Sequence, residues 1–221
     1  MATEYSTLIP GNFVYSEPTK SRRGSNTIWL RDPKTSRNVQ FFLPKMRAPF
    51  SISKFDDSKP TFNLELNVSD SKVKDWLDAW DAANIKAVMG YKDQLFRKVT
   101  TDDEVGGQYR TLAQVKNPAY PPLLRVKVGD RTQVEVVRDG KIQRKPGTLD
   151  DITKGSDVQC AVQCVGLYFC NGIWGCTLVC RGLRVYQVPE VKYFEDDLGM
   201  EGSDDDDEWA PSSKPVIPND Y

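Results

Sequence analysis

Two runs rich in valine, cysteine, leucine and aromatic residues, KGSDVQCAVQCVGLYFC and IWGCTLVCRGLRVYQV, flank Asn171-Gly172 within residues 154–188. That dipeptide tolerates the positive φ angles of a two-residue type I′ turn, so the pattern predicts a long antiparallel hairpin. Strict alternation puts Val158, Val162 and Tyr168 on one face of the first strand and Ala161, Val165, Leu167 and Phe169 on the other. Apolar residues on both faces require cover on both, which places the hairpin inside a barrel or sandwich. In TFNLELNV (61–68), Phe62, Leu64, Leu66 and Val68 alternate with polar residues, giving one core face and one wet face. Ser69 or Asp70 can cap a helix over about 70–89 that carries Val73, Trp76, Leu77, Trp80 and Val88 on one stripe and stops near Gly90. Tryptophans at that spacing belong to a core.

The remaining segments are shorter. Residues 26–43 read as a hairpin around Asp32-Pro33-Lys34-Thr35-Ser36, with Pro33 suited to the second turn position. In PKMRAPF (44–50), two prolines argue against a regular central strand. TTDDEVGGQY (100–109) reads as a polar, mobile loop. YPPLLRVKVGDRTQVEVV (120–137) reads as a strand, a turn at Gly129-Asp130 and a returning strand, and Asp139-Gly140 marks a further turn. This inventory predicts a mainly β chain: an OB-like antiparallel barrel with one inserted helix over 25–189, a flexible basic arm over 1–24, and a disordered acidic tail over 190–221.

Charge sharpens that division. Residues 190–221 carry 11 acidic and 2 basic side chains, and residues 1–189 carry 20 acidic and 28 basic, so a net charge of −1 conceals a body of +8 and a tail of −9. A basic body suits a polyanion, and the run DDDDE (204–208) stays solvated by self-repulsion. The same tail also fits a solubility device over an ordinary mixed surface. There is no histidine, which removes Ser-His-Asp and Cys-His catalysis and histidine-containing zinc sites. With no phosphate-binding GxxxxGK[ST] loop either, an enzyme is not expected, and neither is a cofactor.

Within the predicted hairpin, uninterrupted register sets Cys170 against Ile173, Leu167 against Cys176, Cys164 against Val179 and Gln163 against Cys180, so no cysteine faces another. Neither a disulfide nor a zinc site follows unless a bulge shifts the register, and the five cysteines read as reduced, buried, small apolar residues. Their odd number, without a signal-type leader, points to a reducing intracellular compartment. No apolar run approaches the ~18 residues of a membrane span.

Candidate chemistry lies in cations beside aromatics. Lys45, Arg47 and Phe50 share a stiff loop that can grip a phosphate and stack a base. Arg125 and Lys127 fall on the non-core face of their strand, where they can follow a phosphate chain, and Tyr109, Tyr120 and Tyr168 are further stacking candidates. Arg22, Arg23 and Arg37 could add phosphate contacts. Solvated loop and strand faces account for the same residues equally well.

LPKMRAPFSISKF (43–55), YPPLLRVKV (120–128) and the hairpin segment 154–186 resemble, in order and spacing, a family of single-stranded DNA-binding proteins of nucleocytoplasmic large DNA viruses, notably algal ones. That family is similar to phage replication proteins with an OB barrel and an acidic tail ending in an aromatic residue. The resemblance implies sequence-tolerant binding of single-stranded DNA during viral replication, recombination or repair. It also implies a tail (Asp204, Asp205, Asp206, Asp207, Glu208, Trp209 and Tyr221) that competes for the DNA groove and recruits replication proteins. The chain departs from the pattern where PSSKPVIPND separates Trp209 from Tyr221. Expected partners are therefore single-stranded DNA and viral replication proteins in an infected cell, with self-association open and no membrane. The rival is a non-enzymatic interaction or scaffold module whose tail imitates nucleic acid.

Overall fold

The hairpin forms where Asn171-Gly172 predicts it, with φ angles of 52° and 73° at the two turn residues. The structure is a computed structural model and describes residues 3–20, 25–54, 60–96 and 101–187. The elements that carry the argument are β1 (Asn26–Ile28), β2 (Gln40–Phe42), β3 (Met46–Arg47), β4 (Thr61–Asn67), α1 (Ser71–Met89), β5 (Tyr109–Arg110), β6 (Leu123–Gly129), β7 (Gln133–Arg138), β8 (Asp157–Cys170) and β9 (Ile173–Tyr186). Among the described residues the fold is mainly β with one long helix, and its main sheet is not closed into the expected OB-like barrel. Nor is it purely antiparallel, since β5, β6 and β7 all run parallel to β9.

At 14 residues each, β8 and β9 are long enough to serve as the pairing template for their shorter neighbours. This explains why two expected hairpins take another form. β1 and β2 both pair antiparallel with β8, following each other along the same edge, so the hairpin expected over 26–43 is confined to a short excursion that turns back on itself, Arg31 bridging Asn38 antiparallel and Asp32 N–H donating to the Arg37 carbonyl at 2.8 Å. Asp32 Oδ1 closes that excursion by accepting from the backbone N–H of Lys34 (2.7 Å) and Thr35 (2.9 Å). In the same way β7 does not return along β6 but continues along β9. Thr132 Oγ1 pins the jog between them, accepting from Gly129 N–H and donating to the Cys180 carbonyl. Asp139-Gly140 does make a hairpin, pairing β7 with Lys141–Ile142.

The β8–β9 ladder slips twice, so that Val165 and Arg181 have no partner in register. Beyond Val165, strict alternation is inverted: Leu167 is fully buried and Phe169 stacks on Trp174, whereas Tyr168 leaves the core face on which alternation had placed it with Val158. Such an inversion is what a bulge does to a strand of period two. Gly166 makes it feasible: its φ is 143°, and an added Cβ would stand 2.6 Å from the Ile28 carbonyl oxygen.

The same slips gather Cys160, Cys164, Cys176 and Cys180 on the inner face. Cys164 Sγ lies 3.3 Å from Cys176 Sγ, contrary to the unbulged expectation, and all five cysteines are free thiols. Hydrogen bonding to Cys180 and burial push the Cys160 thiol well above its ordinary range; hydrogen bonding to Cys164 and burial do the same to Cys176.

Helix α1 begins on Asp70, whose side chain accepts from Lys72 N–H, and buries Val73, Leu77, Trp80 and Val88. Within residues 3–20, read from sequence as part of a flexible arm, Tyr5, Leu8, Phe13 and Tyr15 contact this helix, while Thr3–Glu4 and Thr19–Lys20 pair with β2 and β1. Phe13 meets Trp80, Tyr5 meets Trp76, Trp76 Nε1–H donates to the Leu8 carbonyl at 2.9 Å, and Tyr15 donates to Asn84. In the polar stretch read as a mobile loop, residues 101–109 take up defined structure. Thr101 and Glu104 form a capping box for a short helix, Asp102–Gly107, and Trp174 Nε1–H donates to the Val105 carbonyl. Arg22, Arg23 and the whole tail, including Asp204, Asp205, Asp206, Asp207, Glu208, Trp209 and Tyr221, lie outside the described residues.

Candidate nucleic-acid interface

Paired residues in a sheet project to the same side. Val158, Cys160, Val162 and Cys164 fill the core, so Asp157, Gln159, Ala161 and Gln163 face outward, joined beyond the bulge by Tyr168. Register then brings Arg47 beside Asp157, Arg184 beside Gln159, Lys127 beside Val179 and Arg110 beside Gly175, all on this outer face.

One end of the face is built from β3 and the outer ends of β8 and β9. Lys45 Nζ lies 3.1 Å from Asp157 Oδ2 and 4.6 Å from the centre of the Tyr186 ring. Arg184 donates Nε and Nη2 to Glu135 Oε2 at 3.0 and 2.8 Å. Arg47 is exposed, its Nη2 passing over Gly155 so closely that a Cβ there would stand 3.2 Å away. Phe50, just past β3, is 51% exposed.

The other end is organised by Glu65. Arg125, its register partner, donates Nε and Nη2 to Glu65 Oε1 at 3.2 and 2.8 Å, and Lys116 Nζ reaches both carboxylate oxygens at 2.7 and 2.8 Å. Burial opposes ionisation of Glu65, but these hydrogen bonds outweigh it and hold the carboxyl below its ordinary pKa. Half-buried Tyr168 stands close by: burial raises its pKa while Arg110 and Arg125 pull it down. Tyr120 protrudes from the loop leading into β6 and is 70% exposed. Lys127 is half-buried between the two ends, in register with Asn63 and Val179.

Lys45 and the strand candidates thus share one face but not one cluster: Lys45 and Arg47 lie at one end and Arg125 and Tyr168 at the other, with Phe50 and Tyr120 exposed on loops that adjoin β3 and β6. Asp157 and Tyr168 are eleven residues apart on β8, roughly 35 Å along an uncoiled strand.

Tyr109 is not available for stacking. It is 8% exposed; its hydroxyl donates to Asp81 at 2.6 Å and accepts from Asn84 at 2.9 Å, and its ring tilts against Trp174. Burial raises its pKa further above the ordinary tyrosine value. The tyrosine belongs to a buried chain of donors, Tyr15 to Asn84 to Tyr109 to Asp81, that ties α1 to the segment entering β5.

Sequence reasoning missed Arg110, Arg181 and Arg184 on the outer face, and it missed Phe42. In VQFFL two adjacent phenylalanines must face opposite ways. Phe41 is fully buried against Trp76 and Trp80, whereas Phe42 is 36% exposed and shares its side with Gln40. The usable signal was the parity of Phe42 with that polar residue.

No protein-family model matches the chain, and no curated protein matches it. Among solved structures, gp2.5, a single-stranded DNA-binding protein encoded by bacteriophage T7, is similar with a TM-score of 0.44 at 15% identity, over 79% of this chain and 100% of that one. The single-stranded DNA-binding protein from bacteriophage Enc34, solved in complex with single-stranded DNA, is similar with a TM-score of 0.45 at 10% identity, over 81% of this chain and 97% of that one.

Proposed function

We propose that this chain binds single-stranded DNA with little sequence preference along the outer face of the β8–β9 hairpin. The observation that carries the reading is the continuity of that face: Lys45, Arg47 and Arg184 at one end, Arg125, Arg110 and Tyr168 at the other, and Lys127 between them, all on one side of one sheet. Cations would track the phosphates while exposed Phe50 and Tyr120 and half-buried Tyr168 stack bases at ~1–3 kcal/mol each. Unlike the Arg125–Glu65 pair, whose carboxylate is only 13% exposed, the ion pairs with Asp157 and Glu135 join partly exposed side chains. Pairs of that kind hold cations in place at a net ~0–1 kcal/mol, so exchanging a carboxylate for a phosphate costs little.

The acidic tail would compete for this face when DNA is absent and present Trp209 or Tyr221 to replication proteins in an infected cell. The test is fluorescence anisotropy of labelled oligothymidine and of an equal-length duplex, with the full chain and a chain ending at Val188, at two salt concentrations. The expected result is salt-sensitive preference for the single strand, tighter without the tail. Equal affinity of the two chains at low salt would remove the competition, and no binding by either would remove the DNA reading in favour of a scaffold role.

A further inference from the structure

The middle of the same face contains a small feature that charge does not explain. Phe42 on β2 lies opposite Ala161 on β8, and Ala161 lies opposite Gly182 on β9. On the β8 side of the partly exposed Phe42 ring the sheet therefore carries a single methyl group and then bare backbone, and on the opposite side exposed Glu4 stands in register with Phe42. A Cβ placed on Gly182 would meet Ala161 Cβ at 3.6 Å, an ordinary van der Waals contact, and nothing else within 4 Å, so no further side chain covers the position. Polar groups edge it: Gln40 pairs with Gln163 in the adjoining position, and Gln159 with Arg184 on the far side. Arg181, the residue extruded by the second slip, is exposed and held over this edge by donating Nε to Gln163 Oε1 at 2.6 Å.

We infer that this slot is a nucleobase subsite. A base stacks on Phe42 above Ala161 and Gly182, the exposed carboxamide of Gln40 meets its polar edge, and Arg181, held by the buried Gln163, takes the adjoining phosphate. A carboxamide both donates and accepts, so it can satisfy any of the four base edges, and an edge of an amide and an arginine suits a heterocycle better than an apolar peptide side chain. The subsite rests on the reading of this face as a DNA interface. It also fills the gap between the two charged ends with a stacking position.

The experiment uses the full chain and its Phe42→Ala and Phe42→Tyr variants, titrated with labelled oligothymidine and with an abasic oligomer of equal length. Phe42→Ala should weaken oligothymidine binding roughly 5- to 150-fold. It should leave the salt slope and the abasic affinity unchanged, and Phe42→Tyr should restore binding. Melting temperatures of both variants should match the parent, because the ring is not part of the core. Undiminished oligothymidine binding by Phe42→Ala, or an equal loss toward the abasic oligomer, would overturn the subsite while leaving the interface standing. Failure of the parent chain to bind either oligomer would overturn the interface and the subsite together.

Discussion

Asp81 is a carboxylate taken almost entirely out of water, 5% exposed on the inner side of α1. It accepts from Tyr109 Oη at 2.6 Å and, through Oδ2, from the backbone N–H of Leu112 at 3.0 Å. Burial raises its pKa from the usual 3.8 to about 6, and those hydrogen bonds offset only part of the rise. A shift of about two units corresponds to roughly 3 kcal/mol at 1.36 kcal/mol per unit. The folded chain binds this proton more tightly than the unfolded chain, so stability falls as pH climbs from the usual carboxylate value through about 6, and the full cost persists above it. Asp81→Asn abolishes the titration. Its oxygen can still accept from Tyr109, but its amide N–H would oppose Leu112 N–H, forfeiting about 1 kcal/mol. The variant should therefore be more stable than the parent by roughly 2 kcal/mol at pH 7.5, with the advantage gone by about pH 4. Urea unfolding of both proteins at pH 4, 6 and 7.5, followed by tryptophan fluorescence, measures the difference with every other titrating group held in common. A difference that stays constant across the three pH values would show that Asp81 has an ordinary pKa and refute the argument.

Three further outcomes follow from the geometry. Gly166→Ala, at φ 143° and with its new Cβ 2.6 Å from the Ile28 carbonyl oxygen, should cost roughly 1–3 kcal/mol and lower the melting temperature by roughly 3–10 °C; an unchanged melt would mean that the bulge does not depend on glycine. A thiol reagent should label exposed Cys170 first and reach Cys160, Cys164 and Cys180 only on unfolding, whereas rapid labelling of all five in the native protein would contradict the buried arrangement. Glu65→Gln, by releasing Arg125 and Lys116 from their shared carboxylate, should tighten oligothymidine binding and steepen its salt slope by ~0.7 per released cation; an unaltered slope would remove both residues from the interface.

The elements of the fold were legible wherever local pattern and tertiary demand agreed. Asp70, the α1 stripe and Gly90 bound a helix that runs Ser71–Met89, and TFNLELNV forms a strand over Thr61–Asn67. What pattern could not supply was pairing. Proline and glycine marked the breaks after residue 31 and residue 129 correctly, but a break does not say how far the returning chain stays paired: after residue 31 the return reaches only Asn38, and after residue 129 the chain jogs onto β9. In both places the outcome was set by the length of β8 and β9, whose open edges satisfy more backbone donors and acceptors than a small hairpin would. The arm at 3–20 was unreadable for a related reason: its apolar residues, Tyr5, Leu8 and Phe13, have no period of their own and pack individually on tryptophans supplied by α1.

The exposure of the candidate residues was legible only in part, because it depends on which way each side chain points. Lys45, Arg47, Phe50, Tyr120 and Arg125 are exposed as local sequence suggests, from proline-flanked loops and one regular strand. Tyr168 could not be placed from local sequence. Alternation counted from Val158 sends it inward, and only the slip at Val165 turns it out beside Arg110 and Arg125. Tyr109 shows the converse, an aromatic in a polar stretch that is drawn inward because Asp81 and Asn84 offer its hydroxyl partners. The slip that exposes Tyr168 also brings Cys164 against Cys176 and requires a glycine at 166. Core packing and the composition of the outer face are thus set by the same irregularity, and a substitution that straightened β8 would have to alter both. Gly166→Ala can accordingly be read on two scales: if the protein survives it, loss of melting temperature should be accompanied by loss of the Tyr168 contribution to DNA binding, and a variant that lost stability while keeping full affinity would separate the two roles.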